Sequence, residues 1–411
     1  MSKAKKTYVM DISFMYHCLG IREQRRTRVR YEGGKTVIEI RTKENKLYCP
    51  KCKSRHVIRS GSTVRQFKCV PIGSRPVILE MTVQRLECKD CGAVQQEHIH
   101  FARGKQRYTY KMKQFVLDLC RIGTIADVSK TVHMSWDTVK DILKSELGRK
   151  YSRPDLKGLR YIGIDEFAVA KGHIYMTIVV DLETGRIVYV GNGKGADALD
   201  GLWPRLKRAG CRIEAVSSDL SEAFISAVRE HLPDAVQVYD HFHIVKLMNE
   251  KLDMVRRETY NQETDENKRR LIKGQRWLLL ANGDNLTPKA EERLSQALAI
   301  NRPLATAYYL KESLRRVWWQ DNKQNAALVL DDWIELARKS GLKPIETVAE
   351  TFSLHRDGIL AWYDYNISNG KLEGINNKIK TMKRQAYGYR DMDFFRLKLL
   401  SLHDSTYPFS G

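Results

Sequence analysis

The chain has 411 residues, 42% of them hydrophobic, enough to bury a large core and divide into two or three domains. No run of about 18 apolar residues occurs and no apolar segment follows the basic start, so a membrane span and a secretory leader are not expected, and a cytoplasmic protein is. Lys and Arg outnumber Asp and Glu by 71 to 49, giving a formal charge of +22, for which nucleic acid is the natural counterion.

Residues 1–105 read as a β-rich, metal-stapled unit. Thr36–Thr42 and Val77–Leu86 alternate apolar with polar residues, the period of a strand with one buried face. Of the eight cysteines, Cys18, Cys69, Cys120 and Cys211 are scattered, while Cys49, Cys52, Cys88 and Cys91 form two Cys-x-x-Cys pairs. Two such knuckles complete a closed tetrahedral Zn²⁺ site, which is structural rather than catalytic. The spacer of residues 53–87 is long for a ribbon, so the hairpin between the pairs is expected to carry an insertion; Cys69, His56 and His98 are alternative ligands.

Residues 106–150 turn helical. Met112, Phe115, Val116 and Leu119 form one stripe, Gly123 ends that helix, and Thr124–Val132 is a short second one. Ser135 caps a third, in which Trp136, Val139 and Leu143 are expected to face inward. Short helices joined by a tight turn predict a helix-turn-helix, with Thr138, Lys140, Asp141 and Lys144 directed at double-stranded DNA. Residues 151–159, with Pro154 and Gly158, read as a linker.

From Arg160 the pattern becomes α/β. Strands are expected at Tyr161–Asp165, His173–Asp181 and Ile187–Gly191, a helix over Ala196–Ala209, a strand at Glu214–Asp219, a helix over Ser221–Leu232 and a strand at Ala235–Asp240. Three antiparallel strands followed by helix, strand, helix, strand is the ribonuclease H order. There the first and fourth strands adjoin, which would make Asp165 and Asp219 neighbours at their ends. Residues 160–245 thus form the first part of a catalytic core, and the helix-like residues 246–355, with Trp277, Trp318 and Trp319, an all-α insertion.

Residues 356–411 complete the core. Ser368 or Asn369 is expected to cap a helix starting near Lys371, with Glu373, Asn376, Asn377, Lys380 and Arg384 on one face and Ile375, Ile379 and Met382 on the other. A carboxylate followed by amides and cations suits a metal ligand beside a DNA backbone, with Asn377, Lys380 and Arg384 on the DNA.

Four stretches together resemble the DDE transposases of bacterial insertion sequences, within them the ISL-three family. They are Gly163-Ile-Asp165-Glu-Phe-Ala with Lys171-Gly-His173, Ser218-Asp219-Leu-Ser221, Asp240-His-Phe-His243-Ile-Val-Lys246, and Ile367 through Lys380 with Ala386-Tyr-Gly-Tyr-Arg390. His241 stands where Arg is expected. The resemblance covers essentially the whole chain and implies a multidomain α+β protein: zinc ribbon, helix-turn-helix, and a ribonuclease H-like core interrupted by an all-α insertion. It implies Asp165, Asp219 and Glu373 as a catalytic triad holding Mg²⁺ (or Mn²⁺), with Lys380 the basic residue that follows. Binding of terminal inverted repeats, cleavage at the element's ends and transfer to target DNA are expected, in a nucleoid-associated homodimer. Two rivals are a DNA-binding regulator with an inactive core and, from His241-Phe242-His243, a single-strand nuclease that attacks with tyrosine.

Overall fold

The structure is a computed structural model that describes residues 14–170, 174–365, 367 and 370–404. Lys171–His173 and the expected caps Ser368 and Asn369 lie outside the described residues. The chain forms two compact units, one comprising the residues up to Ser152 with Thr381–Leu397, the other Arg153–Lys380 with Lys398–His403.

In the first unit, β1 (Gln24–Glu32), β2 (Lys35–Thr42), β3 (Val57–Ile72), β4 (Arg75–Cys88) and β5 (Val94–Gln96) make one sheet of order β1-β2-β4-β3, with β5 beside β4. Val77, Leu79, Met81 and Val83 alternate along β4 and are buried with Phe67 and Phe101. The expected hairpin insertion is absent. Pairing of β3 with β4 runs from Val57↔Cys88 to Ile72↔Arg75, so strand length takes up the spacer between the cysteine pairs. Strand β3 is not among the strands expected from the sequence: Ile58–Val64 is exposed on both faces and carries no alternation, and the ladder with β4 holds it extended.

Three capped helices follow: α1 (Tyr110–Leu119), α2 (Ile125–Thr131) and α3 (Trp136–Tyr151). Thr109 accepts from the Met112 N–H, Thr124 and Asp127 form a capping box, and Ser135 accepts from the Thr138 N–H. Met112, Val116, Val128, Val139 and Ile142 close their core. Trp136 corrects the expectation: it is 46% exposed, its ring under the Lys140 ammonium at 5.6 Å, because Met134 and Ile142 take the inward positions. Phe394 joins this core, and Asp391 pairs with both Lys140 (2.8 Å) and Lys144 (2.9 Å).

In the second unit, β6 (Tyr161–Ala170), β7 (Ile174–Asp181) and β8 (Ile187–Asn192) form an antiparallel meander, and β9 (Ala215–Ser218) and β10 (Val236–Tyr239) extend it in parallel as β10-β9-β6-β7-β8. This is the ribonuclease H sheet. Between β8 and β9 the expected single helix is broken into a turn of 3-10 helix at Ala196–Leu199 and α4 (Trp203–Ala209), because Pro204 has no N–H to donate and fits only a first helical turn. Helix α5 (Glu222–His231) joins β9 to β10. Helix α6 (His241–Gln262) opens an all-helical insertion through Leu354, built around Leu304, Leu314, Val317, Leu330, Val348 and Phe352, all fully buried. Then come α7 (Gly370–Gln385) and α8 (Met392–Leu400).

Helix α7 is seated on the sheet. Leu372, Ile375, Ile379 and Met382 are buried along one face. A Cβ on Gly163 of β6 would lie 2.7 Å from the Leu372 side chain and 2.9 Å from that of Leu182, so any larger residue would force these buried leucines to shift. Lys371 Nζ donates to the Leu182 and Glu183 carbonyls at 2.6 and 2.7 Å, pinning the first turn.

Gly163→Ala is therefore expected to cost about 1–3 kcal/mol by overpacking, read as a lower urea midpoint with unchanged far-UV circular dichroism; an unchanged midpoint rejects this seating. Asp391 gives a pH test. Its carboxyl is held well below the usual range by hydrogen bonds from Lys140, the Phe394 N–H and Lys144. A depressed folded pKa gives stability that is complete above the unfolded value of about 3.9 and is lost as pH falls through the folded one. Asp391→Asn should cost about 1 kcal/mol at pH 7, and the gap from the natural protein should shrink in melts taken progressively below pH 4. A gap that does not shrink rules out the ion pair as its source.

Candidate functional site

The four paired cysteines come together. Cys49 Sγ lies 3.7 Å from Cys91 Sγ, Cys52 Sγ lies 3.5 Å from Cys88 Sγ, and all four fall within 4.8 Å of one another. Thiolates about 2.3 Å from one zinc ion would be about 3.8 Å apart, so the set fits a single tetrahedral Zn²⁺. Each pair sits in the same backbone loop. The Cys49 and Cys88 N–H groups donate to the Ser54 and Ala93 carbonyls, and their own carbonyls accept from Lys53 and Gly92, both at positive φ. The Cys52 N–H draws the Cys49 thiol down to about 7, toward the thiolate a metal requires. The alternative ligands are occupied elsewhere: Cys69 is in the sheet core, His56 pairs with Asp90, and His98 packs on His100.

The acidic site is built on β6 and β9. Their parallel register pairs Tyr161 with Ala215 and Gly163 with Ser217, so Asp165 and Asp219 each stand two residues beyond the last pair, in step. Asp219 accepts from the Ser221 N–H at 3.1 Å, and Asp165 accepts from the Glu166 N–H at 2.8 Å. Burial raises the Asp165 carboxyl, opposed by a hydrogen bond from Asn376 and by nearby His243. Glu166 was not singled out in the sequence. It is pushed up to about 7, first by burial and then by the charges of Asp219 and Asp165, while Lys194 and Lys246 oppose the shift. Its Oε2, the Asn376 Oδ1 and the His243 Nδ1 are buried with no hydrogen-bond partner among the described residues.

The third expected carboxylate arrives only part of the way. Glu373 lies in the first turn of α7 and is exposed, and Asn376, one turn later on the same face, is the residue that donates to Asp165. Among the described residues the cysteine set is the only group of three or more ligand side chains close enough to share one ion. The carboxylate oxygens of Asp165, Glu166 and Asp219 are the donor type that hard divalent cations prefer, in contrast to the sulfur set of the cysteines.

The expected DNA-facing residues divide. Asn377, Lys380 and Arg384 are exposed on α7, whereas Lys140 and Lys144 are engaged by Asp391 and Thr138 bonds to its own cap Ser135. No sequence signal marked Asp391. His241 and His243 do not form the arrangement of a tyrosine-dependent nuclease. Both lie in the first turn of α6, where residues two apart do not face one another, and each ring instead leans toward the cap Asp240, at 3.3 and 3.7 Å.

A family model described as Transposase matches residues 162–399, one for the helix-turn-helix domain of transposase family ISL3 matches residues 97–146, and one for the zinc-finger of transposase IS204/IS1001/IS1096/IS1165 matches residues 48–91. The transposase for insertion sequence element IS1001 of Bordetella parapertussis is 35% identical over 356 residues, covering 86% of this chain and 88% of that one. The transposase for insertion sequence element IS1557 of Mycobacterium tuberculosis is 28% identical, covering 98% and 95%. Among solved structures, the Drosophila P element transposase strand transfer complex is similar with a TM-score of 0.41 at 13% identity, covering 75% of this chain and 95% of that one. With zinc-finger, helix-turn-helix and transposase models matched in order along its length, the chain belongs to the ISL3 family of insertion-sequence transposases.

Proposed function

We propose that this transposase binds the terminal inverted repeats of its insertion sequence, cleaves DNA at the element's ends and joins the freed 3′ hydroxyl to target DNA, with Asp165, Asp219 and Glu373 holding the catalytic metal ions. The observation that carries this reading is the acidic site: Asp165 and Asp219 in step on adjacent strands, with the Glu373 helix seated against them through Gly163 and Asn376.

The chemistry is two in-line displacements at phosphorus. Water first attacks the phosphodiester at the element's end and a 3′ oxygen leaves; that 3′ hydroxyl then attacks a target phosphodiester, so one bond forms as one breaks. A pair of Mg²⁺ ions, when bound, activates the attacking oxygen and stabilises the departing one. Asp165 and Asp219, at the ends of two adjacent strands, and Glu373 on α7 would hold those ions by their carboxylates, and the ions rather than the carboxylates would draw in the reacting phosphate. Asn377, Lys380 and Arg384, exposed further along α7, take the flanking phosphates, where cations neutralise the backbone without reading sequence.

Reading of the repeats falls to the zinc unit and the helix-turn-helix. Thr138, Lys140 and Lys144 lie on the recognition helix, and for the two lysines a DNA phosphate would take the place of the Asp391 carboxylate. Both ends of an element must be held at once, which calls for a homodimer.

Asp165→Ala, Asp219→Ala and Glu373→Ala are each expected to reduce end cleavage and strand transfer to background while end binding in a gel shift is kept; strand transfer persisting in all three rejects the triad. Stripping zinc with a zinc-selective chelator in excess Mg²⁺ should weaken binding to end DNA and lower the melting temperature of the full chain, with both restored by added Zn²⁺. Unaltered binding by demonstrably zinc-free protein would remove the cysteine site from DNA recognition.

A further inference from the structure

Asn376 is the point at which the Glu373 helix touches the strand that carries Asp165. Its Nδ2 donates to Asp165 Oδ2, while the Glu166 N–H donates to Asp165 Oδ1 at 2.8 Å. One carboxylate oxygen is thus tied to the strand and the other to the helix, which leaves the group little rotational freedom. The Asn376 Oδ1 is buried without a partner among the described residues.

The support beneath this contact is rigid. Leu372 fills the space over Gly163, Ile375 and Ile379 are buried, and Lys371 clamps the Leu182 and Glu183 carbonyls. These contacts fix the helix that carries the carboxamide.

Its chemistry suits the position. Asp219 and Glu166 already repel the Asp165 charge, so a further carboxylate at 376 would add to that repulsion. A lysine would neutralise the charge that attracts a cation. A neutral amide N–H stabilises the ionised Asp165 and leaves the net charge of the site unchanged.

We propose that Asn376 is a positioning residue: it holds the Asp165 carboxylate against the Glu373 face of α7, so that the acidic site takes up its divalent cations in a prepared geometry. This rests on the metal-dependent reading given above. Groups that orient a metal ligand typically alter metal affinity by about 10–100-fold when removed.

The test uses the full, zinc-loaded chain and Mn²⁺ as the probe. Mn²⁺ binding is followed without DNA by electron paramagnetic resonance, and end cleavage is then titrated with Mg²⁺. Asn376→Ala should raise the Mn²⁺ dissociation constant and the Mg²⁺ half-saturation by about tenfold or more, with the loss in cleavage recovered as Mg²⁺ is raised. Asn376→Ser, which keeps a small polar group, serves if the alanine variant melts below the assay temperature, and should show the same shift. Unchanged Mn²⁺ affinity in a folded variant overturns the proposal, as does a cleavage defect that no Mg²⁺ concentration recovers. Asp165→Ala separates the two levels. If it leaves Mn²⁺ binding intact, the metal-dependent reading itself fails; if it abolishes binding while Asn376→Ala does not alter it, only the positioning role fails.

Discussion

Like charges do not collect in a partly buried place without a framework that forces them together. Burial first, and then the neighbouring carboxylate charges, raise the proton affinity of Asp165 and Glu166. What holds them is backbone. Parallel pairing of β6 with β9 fixes Asp165 and Asp219 in step, and a ladder of main-chain hydrogen bonds outweighs the repulsion of two side chains at its end. The free energy of folding the second unit thus maintains a site that is electrostatically unfavourable by itself.

The same unit explains how residues separated by long stretches of chain become one site. The helical insertion packs around Leu304, Leu314, Leu330 and Phe352 in a core that also takes in Ile225 of α5 and Tyr239 of β10, which anchors it to the sheet. The chain then returns through α7, and the approach depends on a missing side chain: Gly163 leaves a recess that Leu372 fills. The apolar contact of Leu372 with Gly163 and, one turn later along the same side of α7, the hydrogen bond from Asn376 to Asp165 set how the helix meets β6.

In the first unit the zinc knuckles and the recognition helix solve a related problem with opposite charges. Four thiols converge because two short loops of identical hydrogen bonding stand near one end of a long hairpin. Lys140 and Lys144, placed one turn apart on α3, share one carboxylate from Asp391. In a chain of charge +22 such internal neutralisation is selective, and other cations, among them Lys380 and Arg384, remain exposed.

What the sequence determined by itself was chemistry of short range and strong period. The Cys-x-x-Cys pairs, the helix cap at Ser135, the alternation along β4 and the order of elements in the ribonuclease H sheet were legible in the sequence itself. Tertiary structure alone decided which polar residues meet. That Asn376 rather than Glu373 reaches Asp165, that Glu166 belongs to the acidic cluster, and that Asp391 holds the recognition-helix lysines depend on how a helix is rotated and seated against its neighbours. So does the outward turn of Trp136, where Met134 and Ile142 won the interior. A helical face is about a hundred degrees wide and admits several residues equally; only packing at contacts such as Gly163 with Leu372 selects among them.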